Sequence, residues 1–261
     1  MMRRLGIAVG LSLVGVVAAA GLYLWTLLPT PGAARQQVRD DVVGVLAGRA
    51  YAYLIWNADH VVLVDAGSDP TAAAIVRELA AIGRRPEQVE AILVTHGHFD
   101  HVSGIPRFVN ARTCVCQGDH QLLRGDRLPS GLLPRLFGHL MPQHILPPHV
   151  QALLAGTALT FGDLAFDVIA TPGHTGGSCM YRLRDVLFSG DSLLNTGAEV
   201  GPPPWLFSDS PASNRRALAR LEAVPFTTIA DGHTGFSADG RDRYERWLKA
   251  NLEPDAPAPP R

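Results

Sequence analysis

The chain has 261 residues, with 23 Lys and Arg against 24 Asp and Glu, a net charge of −1 when the histidines are neutral. A nucleic-acid binder needs a basic excess to neutralise phosphates, so no nucleic-acid partner is expected. Hydrophobic residues make up 47% of the sequence, which excludes disorder, and 26 Gly with 20 Pro imply many turns between short elements.

From the N-terminus, residues 5–28 carry no charge. As a helix such a run spans about 36 Å, enough to cross a hydrocarbon core of about 30 Å. Arg3 and Arg4 precede it, so the positive-inside tendency keeps the N-terminus in the cytoplasm and exports the remainder to the periplasmic or extracellular side. Tyr23 and Trp25 fall where an outer interface would lie. Ala18, Ala19 and Ala20 offer the alternative of signal cleavage and a secreted product. The apolar run outlasts a signal core of about 7–15 residues, however, which favours a retained transmembrane anchor over 1–30. Residues 31–41 read as a linker, 42–252 as one domain, and the proline-rich 253–261 as an extended tail.

Residues 42–64 contain VVGVL, YAYLIW and HVVLVD, β-branched and aromatic runs separated by turn residues, and are read as consecutive strands. Asp69 and Pro70 are placed to open a helix with Ile75, Leu79 and Ile82 on one face and Gly83 at its end. Residues 91–95 (AILVT) form an apolar strand, and TALTF, LAFDVIA, SCMYRL and VLFS a second group of strands. Helices are expected over 211–223 and 239–252. Two groups of strands with helices interspersed, and no long βαβ alternation, indicate an α/β sandwich of packed sheets with helices outside. Cys114, Cys116 and Cys179 are too few and too closely placed for a disulfide framework and read as small buried hydrophobes.

The chemistry concentrates in Thr95-His96-Gly97-His98-Phe99-Asp100-His101, directly after an apolar strand. His96 and His98, two apart on extended chain, project to one side and can grip one cation, while Asp100 and His101 can face a second. So many polar groups behind a core strand would be costly to bury without a cation. Further donors follow strand ends beside glycine: His174 in TPGHTGGS, Asp191 in FSGDS and His233 in DGHTG. Loops at one edge of a sandwich can bring them to a single site.

With this HxHxDH motif and the downstream His, Asp and His in that order, the chain from Val42 to Leu252 resembles the metallo-β-lactamase superfamily. The resemblance implies a four-layered αββα fold with two divalent metal ions, zinc foremost, iron and manganese being other occupants. By position, His96, His98 and His174 would hold the first metal, Asp100, His101 and His233 the second, and Asp191 would bridge both. Asp65, after its own strand, matches the family's supporting aspartate; a strand-end turn cap is its other reading. Two cations about 3.5–4 Å apart acidify a water between them and polarise a scissile bond, so the expected activity is hydrolysis. Asp191 and Asp100 are the candidate catalytic carboxylates, Asp100 as a group that orients the nucleophile and takes up a proton.

Asp191 argues against a true β-lactamase and for the glyoxalase II and lactonase branches, so the expected target is an ester, thioester or lactone in a small-molecule substrate. A mononuclear iron-dependent persulfide dioxygenase, a β-lactamase and a phosphodiesterase are the alternatives the same resemblance leaves open. The basic glutathione-binding region of glyoxalase II is not found in the sequence. Residues 128–150 and 201–207 (GPPPWLF) mix apolar side chains with proline and are read either as apolar lids over the metals, fitting a hydrophobic acyl group, or as packing loops. His139, His144 and His149 are assigned to the first of these segments rather than to the metals, and His60 and His120 carry no signal.

Overall fold

The computed structural model describes residues 29–131, 133–136 and 149–252. The uncharged run at 5–28, most of the 128–150 segment with His139 and His144, and the 253–261 tail lie outside the described residues. Among the described residues no helix is long and apolar enough to cross a membrane.

Pro31–Arg261 forms a unit of its own, built on two mixed sheets. The first contains β1 (Arg35–Arg39), β2 (Val42–Ala47), β3 (Ala50–Trp56), β4 (Val61–Val64), β5 (Ala91–Val94), β6 (Arg112–Cys116) and β7 (Val150–Leu153), hydrogen-bonded in that order. Its first four strands run antiparallel and the rest parallel. The second contains β8 (Ala158–Phe161), β9 (Leu164–Ala170), β10 (Cys179–Leu183), β11 (Val186–Gly190), β14 (Thr228–Asp231) and β15 (Phe236–Ser237), in the order β15-β14-β11-β10-β9-β8. Only β11 and β14 are parallel there. A hairpin of β12 (Leu194–Thr196) and β13 (Glu199–Gly201) stands apart.

Alternation along the strands decides which side chains fill which layer. On β3, Tyr51, Tyr53 and Ile55 face the second sheet and pack with Phe161, Phe166, Tyr181 and Phe188. Ala52 and Leu54 point the other way, onto Ile75 and Leu79 of α1 (Ala73–Ala81). On the outer face of the second sheet, Met180, Leu187 and Ile229 meet Leu218 of α4 (Pro211–Ala219) and Tyr244 and Trp247 of α5 (Gly240–Leu252). The layers are therefore helix, sheet, sheet, helix. Cys114, Cys116 and Cys179 are free and buried between the sheets.

Two local expectations change. Arg35–Arg39, within the segment read as a linker, is an edge strand paired with β2. It has one buried apolar residue, Val38, so its state is set by the pairing rather than by its own pattern. The first helix begins at Ala73, after Ala72 in a left-handed conformation. Asp69 still supports that end: its carboxylate accepts from the Thr71 and Ala73 amides at 2.9 and 3.0 Å.

Candidate metal centre

The C-terminal ends of β4, β5, β9, β11 and β14 lie along one edge of the sandwich, and each hands a polar side chain to the same place. Asp65 follows β4; His96 and His98 follow β5. Asp100 and His101 sit in the short helix α2 (Phe99–Val102). His174 lies between β9 and β10, Asp191 follows β11, and His233 follows β14. The seven proposed ligands, drawn from four separate stretches of chain, thus meet in space, with Asp65 beside them.

His96, His98 and His174 form one group, with His174 Nε2 lying 3.2 Å from His96 Nε2 and 3.0 Å from His98 Nδ1. Asp100, His101 and His233 form another. Asp191 lies between: Oδ2 is 2.9 Å from His233 Nε2 and 3.6 Å from His174 Nε2, and Oδ1 is 3.3 Å from His101 Nε2. Asp100 Oδ2 stands 3.6 Å from His233 Nε2 on the more open side. His101 is fully buried, and His96, His98, His174 and Asp191 are nearly so.

The outward nitrogens explain why the inward ones are poised for a cation. His101 Nδ1 donates to Asp65 at 2.8 Å, and His233 Nδ1 donates to the Arg49 carbonyl at 3.0 Å. His96 Nδ1 lies 3.1 Å from Thr95 Oγ1, whose own proton goes to Asp65. With the proton held outward on these three rings, the Nε2 lone pair of each faces inward. His101 Nε2 and Asp191 Oδ1 then face each other as two acceptors, both buried and with no hydrogen-bond partner. Such a pair needs a positive charge between or beside it. The donor set, imidazole nitrogens and carboxylate oxygens, suits zinc and other borderline divalent metals. The His and Asp clusters fit a binuclear site.

The electrostatics point the same way. Burial and the neighbouring imidazoles hold His96 and His174 well below the usual histidine range. Burial opposes charge on His101 and His233 too, but Asp191 overrides it, raising His101 well above its ordinary value and His233 to about 9. Burial would raise Asp191, yet His233 and His101 hold its carboxyl well below the usual carboxylate range. The carboxylate of Asp191 thus makes the place where the two histidine groups meet favourable to positive charge.

Glycines make the convergence possible. A Cβ on Gly232 would fall 2.3 Å from Asp191 Oδ1 and 2.6 Å from His101 Cε1, and one on Gly190, at φ +51°, would fall 2.5 Å from Thr95 Oγ1. Asp65 itself adopts φ 59°, turning its carboxylate back onto the Thr95 amide and hydroxyl, both at 2.8 Å.

Two carboxylates that the sequence reading passed over support the loops. Asp119 is fully buried and accepts from Gly97, Thr175 and Gly177. Asp231 accepts from the His233 and Thr234 amides and from Asn195. Asp231 stood inside a quoted motif; Asp119 had only its position after an apolar strand to signal it. His60 pairs with Glu90 at 2.6 Å, and His149 is exposed beside β7; neither joins the metal groups.

The metallo-beta-lactamase superfamily model matches residues 45–233, and the chain belongs to that superfamily. Its His and Asp groups stand at the loop edge of this fold. Within the superfamily it is similar to a hydroxyacylglutathione hydrolase of Aeromonas hydrophila subsp. hydrophila, 32% identical over 179 residues, covering 69% of this chain and 58% of that one. One from Fuscovulum blasticum is 32% identical over 213 residues, covering 80% and 69%. The chain thus spans less than two thirds of the first relative's length. Among solved structures, the Rm3 metallo-beta-lactamase superposes with a TM-score of 0.66 at 19% identity, covering 85% of this chain and 93% of the other, a likeness of fold.

Proposed function

We propose that this chain hydrolyses a thioester whose acyl part is hydrophobic, using two divalent metal ions. The observation that carries the reading is Asp191, whose two oxygens face both histidine groups at once. In this assignment His96, His98 and His174 would hold one ion and Asp100, His101 and His233 the other, with Asp191 shared between the two groups. Zinc is the expected metal for such donors. When bound, the pair supplies an acidified water and a pole for the scissile carbonyl. Asp65 keeps the His101 proton on Nδ1, and the Arg49 carbonyl does the same for His233. Asp100, partly exposed at the open side with Oδ2 toward His233, is the carboxylate placed to take a proton at its other oxygen, Oδ1, and return it to the departing thiol. The curated relatives support the choice of a thioester among the bonds this fold cleaves.

Two segments support the hydrophobic acyl group. Ser130 and Gly131 donate their amides to Asp209 Oδ1 at 2.9 and 2.6 Å, and the Asp209 amide donates to the His174 carbonyl at 2.9 Å. Leu128 and Leu136 on the first segment and Trp205 on the second are exposed, so apolar surface is tied to a loop that carries a proposed ligand. The uncharged 5–28 run supports an exported catalytic unit held at a membrane.

The test is a substrate panel of short- and long-chain acyl thioesters, a lactone, a phosphodiester and a β-lactam, assayed on the full chain with its metal content quantified. Metal-dependent thioester turnover that favours the longer acyl chain is expected. Thioester turnover that survives complete metal removal, or a single iron with oxygen consumption, would overturn the reading.

A further inference from the structure

Asp119 stands in the turn after β6, just before α3 (His120–Leu123), and is fully buried. Its Oδ2 accepts from the Gly97 amide at 2.8 Å and from Thr175 Oγ1 at 2.6 Å, and its Oδ1 accepts from the Gly177 amide at 2.8 Å. Arg127 Nη2 lies 3.9 Å from Oδ1. Gly97 sits between His96 and His98, and Thr175 follows His174. One carboxylate therefore grips both loops that present the three imidazoles of the first group. It makes none of these bonds to the chain around His101 or His233, which lean on Asp65 and Asp231 instead.

The backbone is shaped to let Asp119 reach both loops. A Cβ on Gly177 would fall 2.1 Å from the Asp119 amide nitrogen, and one on Gly118 would fall 2.5 Å from the Gly176 carbonyl oxygen. The turn and the His174 loop pack main chain against main chain, with room for nothing larger than glycine. A carboxylate is acceptor-only, which suits donors arriving at both of its oxygens. An amide in its place must turn its NH2 group toward one of those backbone N–H donors, leaving that donor buried and unpaired.

We propose that Asp119 is the positioning residue of the first metal group, fixing the spacing of His96, His98 and His174 without touching the metal; this rests on the ligand assignment proposed above. Groups that orient metal ligands in this way change metal affinity by about 10- to 100-fold when altered. The effect belongs to one site of the two, because the other has its own buried carboxylates.

The experiment titrates the metal-free full chain with zinc alone against a competing chelator, resolving two binding steps. His98→Ala abolishes one step and so marks which belongs to the first group. In Asp119→Asn, that marked step is expected to weaken by about 10- to 100-fold while the other stays unchanged. Equal weakening of both steps, no weakening of either, or a lowered Tm of the metal-free protein as the only change would overturn the proposal. Should Asp119→Asn fail to fold, Thr175→Val removes a single donor at nearly constant shape. A smaller loss confined to the marked step supports the role, and a loss shared by both steps, or none, rejects it. A wild-type chain that takes up fewer than two zinc ions overturns the two-ion reading itself, a result visible before any variant is made.

Discussion

A methyl group on Gly232 would press on Asp191 Oδ1 and His101 Cε1 together. Gly232→Ala is therefore expected to push Asp191 and His101 apart, lowering metal content and cutting kcat by about 100-fold, the usual cost of an ångström's displacement in a reacting geometry. Atomic absorption alongside steady-state kinetics checks it, and unchanged metal with unchanged kcat would count against the proposed contact. The candidate ligands were legible in the sequence because four donors fall between His96 and His101 and because His174, Asp191 and His233 each sit beside glycine after an apolar run. Asp119 was not legible, since Gly97 and Gly177 are 22 and 58 positions away and only the folded chain brings them to it.

Among the elements, β1 shows how pairing overrides composition. Arg39 at its end reaches across to the second sheet, its Nη2 lying 2.6 Å from Asp185 Oδ2 and 2.7 Å from Thr228 Oγ1. The hydrogen bond from Arg39 holds the Asp185 carboxyl below its ordinary value of 3.8, with burial opposing. A carboxyl depressed in the folded state stabilises above its unfolded pKa, and that contribution disappears as pH falls through the folded value. Arg39→Ala is thus expected to lower stability at pH 7 by no more than about 1 kcal/mol, since the pair is partly exposed. The gap from wild type should narrow in acid as Asp185 takes up its proton; a gap that widens in denaturant titrations below pH 4 would argue against this ion pair.

The segments flanking the His174 loop carry a further expectation. Asp209→Ala removes the acceptor for the Ser130 and Gly131 amides while leaving the Asp209 main chain on His174. At about 1 kcal/mol for the lost bonds, KM for a long-chain thioester should rise by about fivefold, with a short homologue and kcat little changed. An equal rise for both homologues would remove the 128–136 segment from substrate recognition. The strands were readable where aromatic and β-branched residues run together between turn residues, as in β3. The opening of α1 was not, because Ala72 takes a left-handed conformation that no side chain there announces.

At the scale of the whole molecule, ions bound at the loop edge would stabilise the fold by mass action. An ion held at a free concentration one hundred times its Kd adds about 2.7 kcal/mol, and each kcal/mol moves Tm by about 2–4 °C in a domain of this size. Stripping both ions with a chelator is expected to lower Tm by on the order of 10 °C or more, and returning zinc to restore it. Scanning calorimetry of stripped and reloaded protein decides it, and an unchanged Tm would speak against tight binding. The sandwich itself was legible from two clusters of apolar runs; the mixed direction of the strands was not, because pairing depends on which distant segments meet.

The division of the ligands between the sheets has one more consequence. His96, His98, Asp100 and His101 hang from the half built on β1 to β7, while His174, Asp191 and His233 hang from the half built on β8 to β15. Cut near residue 155, the chain would yield two fragments, each owning an incomplete claw. Zinc added to the mixture would rivet the fragments into one particle, so metal uptake would serve as a gauge of whether the two sheets have docked in register.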